Sequence, residues 1–300
     1  MINIKNILCP VDFSEFSEKA FDYACSLAKR YEARLYVQHI IPPLTDYYGQ
    51  VPAGWCQQYH KESREKSEDE LRKLIGRAAF NGFRPQFVVE VGSPAQSILQ
   101  FSERESIDLI VMGTHGFKGM DRLVMGSVTE KVLRKAHCPV LAVRKPLHDF
   151  VAPKQKDDCV KLRKILLATD FSDTGQRAFA YALSLAMEYN AELTLLHVLE
   201  EVPRDEELAT VTARLSHKLE ALVPADAPNW CTIKSAIRVG KPYQEIVQLA
   251  LESQADLIVL GVRGRSAPDL AVFGSTTYRV LQLGSAPVLA VHIDEGPGQS

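Results

Sequence analysis

The chain lacks the features that mark membrane, secreted and nucleic-acid-binding proteins. No stretch approaches the roughly 18 uncharged apolar residues of a transmembrane helix. The opening MINIKNILCPVDFSE has no basic region followed by a long apolar run, so no signal peptide is predicted. Lysine and arginine (35) do not exceed aspartate and glutamate (37), whereas a general nucleic-acid or anionic-membrane binder needs a basic excess. The composition predicts a soluble, cytoplasmic protein that binds neither nucleic acid nor membranes.

Several site-forming patterns are also missing. The six cysteines contain no Cys-x-x-Cys pair and lie within apolar runs, which favours reduced, buried thiols over a disulfide framework. Cys56 and His60 are one helical turn apart, but no second pair stands at metal-like spacing. There is no Walker Gly-Lys-[Ser/Thr] sequence and no carboxylate pair suited to Mg²⁺-dependent hydrolysis. We therefore predict no zinc site and no catalytic residue.

What the chain does contain is one sequence unit present twice. KNILCPVDFSEFSEKAF, from Lys5, is matched by RKILLATDFSDTGQRAF, from Arg163, and the matches continue to CPVLAVR and APVLAVH. The segment between the copies is polar and contains two prolines, which is typical of a linker. A chain of 300 residues has room for about two domains. We predict domains at 1–145 and 162–293, joined by a linker at 146–161.

Within each copy, short apolar runs alternate with helical patterns. In the first copy the runs NILCPV, ARLYVQHI, PQFVVEV, DLIVMG and PVLAV are typical of buried strands. DLIVMG is apolar on both faces, as central parallel strands are. The segments between the runs carry helical spacing or helix-start signals. The alternation predicts an α/β fold with a doubly wound parallel sheet in each domain.

Glycines and a serine recur with one spacing after the central strand of each copy. In GTHGFKGMDRLVMGS (113–127) and GVRGRSAPDLAVFGS (261–275) the intervening residues change, but the glycine and serine positions do not. The first glycine stands at the carboxyl edge of the sheet, where such folds bind ligands, and we expect it to permit a positive φ and close ligand approach. Gly-Ser then opens a helix whose N–H groups and hydroxyls suit a phosphate.

Asp12 and Asp170 follow the first strand of each copy, at the same carboxyl edge. A carboxylate there can accept hydrogen bonds from ribose hydroxyls or a base amine. The alternative is that Asp-Phe-Ser only caps the first helix, since these residue types favour turns and caps. Because the glycine block lies at the same edge, ligand binding is the favoured interpretation.

Four other features receive a different interpretation. His115 lies between the motif glycines, but its counterpart is Arg263, which cannot act as a base, so a catalytic role is disfavoured. His39 and His197 occupy equivalent strand ends and are expected to be hydrogen-bonded structural residues. The aromatic segment 44–60 has no match in the second copy and is predicted to be a loop. It serves as a lid, as a partner surface or in packing between neighbouring domains, and these alternatives stay open.

The two glycine blocks resemble a known motif. Gly113-x2-Gly116-x9-Gly126-Ser127 and Gly261-x2-Gly264-x9-Gly274-Ser275 fit the G-x2-G-x9-G-[S/T] nucleotide motif of the universal stress protein family. With the PVD opening and the closing PVLAV, the resemblance covers nearly the whole chain as a tandem pair. It implies an adenine nucleotide alpha hydrolase-like fold with five parallel strands per domain, which binds ATP with Mg²⁺ or Mn²⁺.

The resemblance also implies site residues. Asp12 and the backbone near Ile40 would hold adenine and ribose, the glycines would line the triphosphate, and the Gly-Ser helix start would contact phosphates. In the first copy the implied set is Pro10, Val11, Asp12, Ile40, Met112, Gly113, Gly116, Gly126, Ser127, Val128 and Thr129. In the second copy it is Ala168, Thr169, Asp170, Val198, Leu260, Gly261, Arg263, Gly264, Gly274, Ser275, Thr276 and Thr277.

The expected role is regulatory. ATP orders the loop at 113–126 and so changes a surface that an unknown partner protein reads. The family pairs its domains through the final strand, so the resemblance implies an intramolecular pseudo-dimer of 139–143 with 287–291. An edge strand of this kind also favours a homodimer. A slow ATPase or other nucleotide enzyme, and a scaffold that binds no nucleotide, remain as alternatives.

Overall fold

The computed structural model describes most of the chain. The described residues are 2–44, 53–78, 83–114, 125–144, 149–151, 160–203, 206–262 and 274–292. They fall into two compact units, Asn3–Arg144 and Lys145–Ser300, the second including Met1–Ile2. Among the described residues, no helix is both long and apolar enough to cross a membrane.

The first domain, as far as it is described, is a parallel sheet of five strands with helices packed against it. Its strands are β1 (Asn6–Pro10), β2 (Arg34–Ile41), β3 (Gln86–Val91), β4 (Leu109–Gly113) and β5 (Val140–Val143). Its helices are α1 (Glu15–Tyr31), α2 (Ala53–Ala78), α3 (Pro94–Arg104) and α4 (Ser127–Lys135). The strand order is β3-β2-β1-β4-β5, and all pairs are parallel. The order reverses between β1 and β4, which is where doubly wound sheets bind ligands.

The second domain repeats this topology within its described residues. Its strands are β6 (Lys164–Ala168), β7 (Glu192–Leu199), β8 (Ile233–Val239), β9 (Leu257–Gly261) and β10 (Val288–Val291). Its helices are α5 (Asp173–Tyr189), α6 (Leu208–Glu220), α7 (Pro242–Ser253) and α8 (Ser275–Leu283). The order is β8-β7-β6-β9-β10, again parallel throughout. The predicted α/β class and the parallel sheets are confirmed.

Local sequence signals explain where the first helix of each domain begins and ends. Ser14 is the N-cap of α1 and accepts a hydrogen bond from the Ser17 N–H, and the helix ends at Glu32 in the left-handed conformation. The predicted apolar face is buried against the sheet, with Ala20 and Ala24 fully enclosed. In α5 the N-cap is Ser172, which accepts from the Gly175 N–H. The cap fixes the turn that leads from the strand edge into the helix.

The prediction of a loop over 44–60 is wrong for its second half. Helix α2 begins at Ala53, and Trp55 is exposed on its surface. The run of glutamine, lysine and glutamate that follows favours a helix and extends it over several further turns. Residues 45–52 lie outside the described part of the chain, so the lid interpretation is not addressed by the structure.

Most of the predicted linker at 146–161 lies outside the described residues. Of the part that is described, Phe150 and Val151 are buried, and Val151 forms an isolated antiparallel bridge with Val160. The Lys161 N–H donates a hydrogen bond to the Phe150 carbonyl at 2.7 Å. The segment therefore contains a small ordered element, formed by apolar residues that the overall polar composition of the linker had obscured.

Candidate functional site

Strand register brings the two halves of the predicted site to one edge of each sheet. Strand β1 pairs with β4, with Leu8 opposite Ile110, so Asp12 and Gly113 both lie beyond or at the carboxyl ends of neighbouring strands. In the second domain Leu167 lies opposite Val259, so Asp170 and Gly261 also lie at the carboxyl ends of neighbouring strands. The aspartate and the start of the glycine block are therefore neighbours in each domain, as the sequence predicted.

The first motif glycine has a packing role that was not predicted from the sequence. A Cβ added to Gly113 would lie 2.9 Å from the backbone carbon of Phe16, and one added to Gly261 would lie 2.6 Å from the backbone of Thr174. Neither glycine is among the described residues with positive φ. The absence of a side chain lets the first turn of α1 or α5 pass directly over the strand end. The expectation of a positive φ is wrong, and the packing of the helix against the strand end is itself a reason for glycine at these two positions.

The third motif glycine of the second domain shows no such crowding. Gly274 is the N-cap of α8, and the nearest described heavy atom to an added Cβ would be Thr277 Oγ1 at 3.9 Å. Gly126 is the N-cap of α4, and both glycines have negative φ, −61° and −49°. Because glycine has no side chain to accept from the first-turn N–H groups, these donors and the positive end of the helix dipole face the sheet edge. This arrangement suits a bound anion.

Hydrogen bonds hold the start of α4 against the end of β4. Thr129 Oγ1 donates to the Gly113 carbonyl at 2.9 Å, and the Gly126 N–H donates to the Thr114 carbonyl at 2.9 Å. Thr129 is buried, so its hydroxyl fixes the helix rather than facing solvent. Ser127, by contrast, is exposed at the first helical position. The two hydroxyls predicted for one task thus occupy different environments.

The aspartates organise the turn that precedes the first helix. Asp12 Oδ1 accepts from the Ser14 N–H at 3.1 Å and from Ser14 Oγ at 2.6 Å. Asp170 Oδ1 accepts from the same two groups of Ser172. The capping alternative is thus realised in both domains, through one oxygen of each carboxylate. Asp12 is half-buried and Asp170 exposed, so both side chains also border solvent at the sheet edge.

An aromatic cluster next to each aspartate was not predicted from the sequence. Phe13 and Phe171 both have φ of +62°, a left-handed conformation that is strained for a bulky side chain. Each ring packs on a histidine, with centroids 4.6 Å apart for Phe13 with His39 and for Phe171 with His197. The repeated Asp-Phe-Ser sequence was the only signal for this cluster, and it does not predict the positive φ of the phenylalanine. Strain that recurs at the same position of both domains marks a constrained turn.

The histidines are structural, as predicted. The Nδ1 atoms of His39 and His197 lie 2.8 Å from the carbonyl oxygens of Val11 and Thr169. Since a carbonyl only accepts, Nδ1 carries a proton in both rings. Burial lowers the pKa of His39, although the Val11 carbonyl and two carboxylates oppose the shift. His39 is therefore held neutral beside the turn.

Backbone groups of β2 and β7 also face this edge. The Val11 N–H donates to the Gln38 carbonyl at 2.8 Å, while the Ile41 carbonyl accepts from Gly92 on the β3 side. Backbone direction alternates along a strand, so the N–H and C=O of Ile40 point towards β1, beyond the point where β1 ends. In the second domain the Thr169 N–H donates to the Leu196 carbonyl at 2.9 Å. The backbone groups of Val198 therefore point towards β6, as those of Ile40 point towards β1.

The remaining predicted residues differ in their burial. Pro10, Val11, Met112, Thr169, Leu260 and Thr277 are buried. Val128, Ala168 and Thr276 are half-buried, and Ser275 is exposed at the start of α8. Gly116, Arg263 and Gly264 lie outside the described residues, as does His115.

Comparison with known proteins decides the family. The model of the universal stress protein family matches residues 3–144 and again residues 161–292. The chain belongs to the universal stress protein family. The two matches confirm the tandem organisation predicted from the internal repeat, and the observed sheets are the adenine nucleotide alpha hydrolase-like fold of that family.

Individual family members match one domain at a time. A universal stress protein of Methanocaldococcus jannaschii is 34% identical over 142 residues, which cover 47% of this chain and 83% of that protein. One of Thermus aquaticus is 36% identical over 140 residues, covering 47% of this chain and 98% of its own length. Because each alignment spans about half of this chain, these relatives are similar to one copy of the repeat.

Solved structures match over both copies. The crystal structure of a universal stress protein from Archaeoglobus fulgidus has a TM-score of 0.73 at 24% identity and covers 97% of this chain and 99% of that one. A functionally unknown protein from Pseudomonas aeruginosa has a TM-score of 0.65 at 19% identity, covering 97% and 94%. At these identities the likeness establishes the shared fold alone.

Proposed function

We propose that this universal stress protein binds ATP at the carboxyl edge of each sheet and uses occupancy as a regulatory signal. The observation that carries the proposal is the duplicated helix start. In both domains a glycine N-cap with no side chain presents the N-terminus of a helix at the same edge as an aspartate turn. An anion is attracted to the helix start, and the carboxylate accepts from hydroxyls or an amine at the other end of the ligand.

We propose three tasks for the residues of the site. The N–H groups and exposed hydroxyls at the starts of α4 and α8 bind phosphates, led by Ser127 and Ser275. Asp12 and Asp170 accept from the ribose, and the backbone groups of Ile40 and Val198 face the base. Thr129 holds the helix start in place through its bond to Gly113, instead of contacting phosphate itself.

A divalent ion would accompany the nucleotide. Among the described residues, no group of three His, Cys, Asp or Glu side chains converges to hold a metal. Mg²⁺ or Mn²⁺ would therefore be held chiefly by the phosphate oxygens, a mode that Mg²⁺ commonly adopts. The role of this chain's residues is to bind and orient the nucleotide.

Signalling requires that the bound and free forms differ at a surface. The motif loop joins the end of β4 to α4, so phosphate binding at Ser127 acts on one end of that loop directly. We expect ATP to protect the amides around 113–127 from hydrogen exchange, and an unknown partner protein to read the difference. The final strands 139–143 and 287–291 are proposed to pair the domains, and a homodimer is a further proposal.

An ATPase is the competing function, and one incubation separates the two. Protein is mixed with ATP and MgCl₂, and bound ATP and released ADP are followed over hours. The sensor predicts stoichiometric ATP with no turnover and weaker binding by the Ser127→Ala, Ser275→Ala variant. Mg²⁺-dependent ADP production that the variant loses would instead establish an enzyme. No binding of ATP at all would leave a scaffold.

A further inference from the structure

The two candidate sites differ in charge at one structurally equivalent position. The alignment that pairs Gly113 with Gly261 also pairs Leu71 of α2 with Leu219 of α6, and both leucines are fully buried. The residue before each leucine therefore occupies the same place on its helix. That residue is Glu70 in the first domain and Lys218 in the second.

Lys218 contacts the aromatic cluster beside the aspartate turn of its domain, and Glu70 is its counterpart in the first domain. Lys218 Nζ lies over the ring of Phe171, 4.1 Å from its centroid, in a cation–π contact. Helix α2 packs against β2 and β3, and the charge of Glu70 opposes, as the smallest contribution, the lowering of the His39 pKa that burial causes. The second domain thus has a cation next to its Phe-His cluster, and the first domain has an anion at the aligned position.

The charge of Lys218 is available to a ligand. Its side chain is exposed, and within the described residues no carboxylate lies at ion-pairing distance from Nζ. Phe171 directly follows Asp170, the residue proposed to accept from ribose hydroxyls. An ammonium group over the residue next to such a carboxylate suits a phosphate on the ribose, whereas a carboxylate in that position suits unmodified hydroxyls and repels a phosphate.

We propose that the second domain selects adenine nucleotides that carry a phosphate on the ribose 2′ or 3′ oxygen, with Lys218 as the specificity-determining residue. The first domain, with Glu70 in the same position, selects nucleotides whose ribose hydroxyls are free. The two sites are then tuned to different nucleotides rather than being copies of one sensor. This inference rests on the proposed function, because it assumes that both sites hold an adenine nucleotide.

The test compares isomeric ligands at one site at a time. ADP and adenosine 2′,5′- or 3′,5′-bisphosphate contain the same number of phosphates and differ in where the second one is attached. Ser127→Glu silences the first site and Ser275→Glu the second, because an exposed acid at a helix start repels phosphate yet suits the helix dipole and should not unfold the domain. Titration calorimetry of the full chain then gives the ratio of the ADP to the bisphosphate dissociation constant for each site.

We expect this ratio, taken for whichever bisphosphate binds more tightly, to be roughly tenfold higher at the second site than at the first at low salt. Lys218→Glu should lower the ratio at the second site, and Glu70→Lys should raise it at the first. Lys161→Glu and Glu65→Lys, which change exposed charges elsewhere, serve as controls and should leave both ratios unchanged. High salt should reduce the difference.

The outcomes separate this inference from the proposed function. Ratios within twofold of each other at the two sites, or ratios unaffected by the two charge swaps while ATP and ADP still bind, would overturn the selectivity and leave the nucleotide function intact. If neither ATP nor ADP binds the wild-type chain at either site, the proposed function fails and the selectivity fails with it.

Discussion

The motif glycines should separate into packing and binding residues when each is replaced by alanine. A Cβ at position 261 would meet the backbone of Thr174 at 2.6 Å, well inside ordinary contact, and backbone atoms cannot move aside cheaply. A Cβ at 113 would meet Phe16 at 2.9 Å, while one at 274 would approach no described atom closer than 3.9 Å. The expected order of destabilisation is therefore Gly261, then Gly113, then Gly274.

Overpacking of a tight interior costs about 1–3 kcal/mol. We expect Gly261→Ala near the upper end of that range, Gly113→Ala about 1–2 kcal/mol, and Gly274→Ala below about 1 kcal/mol, the cost of a poorer N-cap. At the size of one domain, the first value lowers Tm by about 5–10 °C. Urea unfolding with ATP titration of the folded variants measures both properties.

Nucleotide affinity should follow a different order from stability. Gly274→Ala should weaken ATP binding in the second domain while the fold is nearly unchanged, because the new methyl group occupies the approach to the helix start. Stability losses of equal size at 261 and 274, or an unaltered affinity at 274, would refute the division of roles.

Two further predictions concern the turn of the first domain. Phe13→Gly should stay within about 1 kcal/mol of the wild type because glycine takes a φ of +62° without strain, whereas Phe13→Val should cost about 2 kcal/mol or more; equal costs in urea unfolding would contradict the strain. Burial lowers the pKa of His39, so the folded state takes up its proton less readily than the unfolded chain, and stability should fall as the pH drops below about 6.5. His39→Gln should flatten that loss between pH 7.5 and 5.5, and a loss as large as the wild type's would show that His39 is not its source.

Sequence patterns were sufficient for the fold because the repeat and the burial pattern act together. Runs such as DLIVMG are typical of central strands in a chain that alternates strands with helices, and β4 is found at Leu109–Gly113. Helix starts at Pro94 and Ser127 agree with their capping signals. The start of α2 was harder to predict, since its first turns, from Ala53, lie within the aromatic segment that was predicted to be a loop.

The sequence predicted at which edge of the sheet the candidate residues lie, but not which atoms they contact. Spacing identifies Gly113 as special, yet whether a glycine makes room for a ligand or for a neighbouring helix depends on atoms distant in sequence, here Phe16. The same holds for Thr129, whose hydroxyl is taken by a strand-end carbonyl. Phe13 shows a further limit, because tertiary packing imposes a φ that the residue's own preference opposes.

The most direct test of nucleotide binding is to measure what the purified protein carries. Freshly purified chain is heat-denatured, and released nucleotide is quantified by anion-exchange chromatography beside the Gly126→Val, Gly274→Val double variant. The negative φ at both positions accepts valine, so the variant should fold, which circular dichroism can verify. We predict about one or two ATP per chain from the wild type, on the argument that each helix start holds one phosphate chain, and none from the variant. No released nucleotide, together with no binding when ATP is added to the folded wild type, would contradict the account.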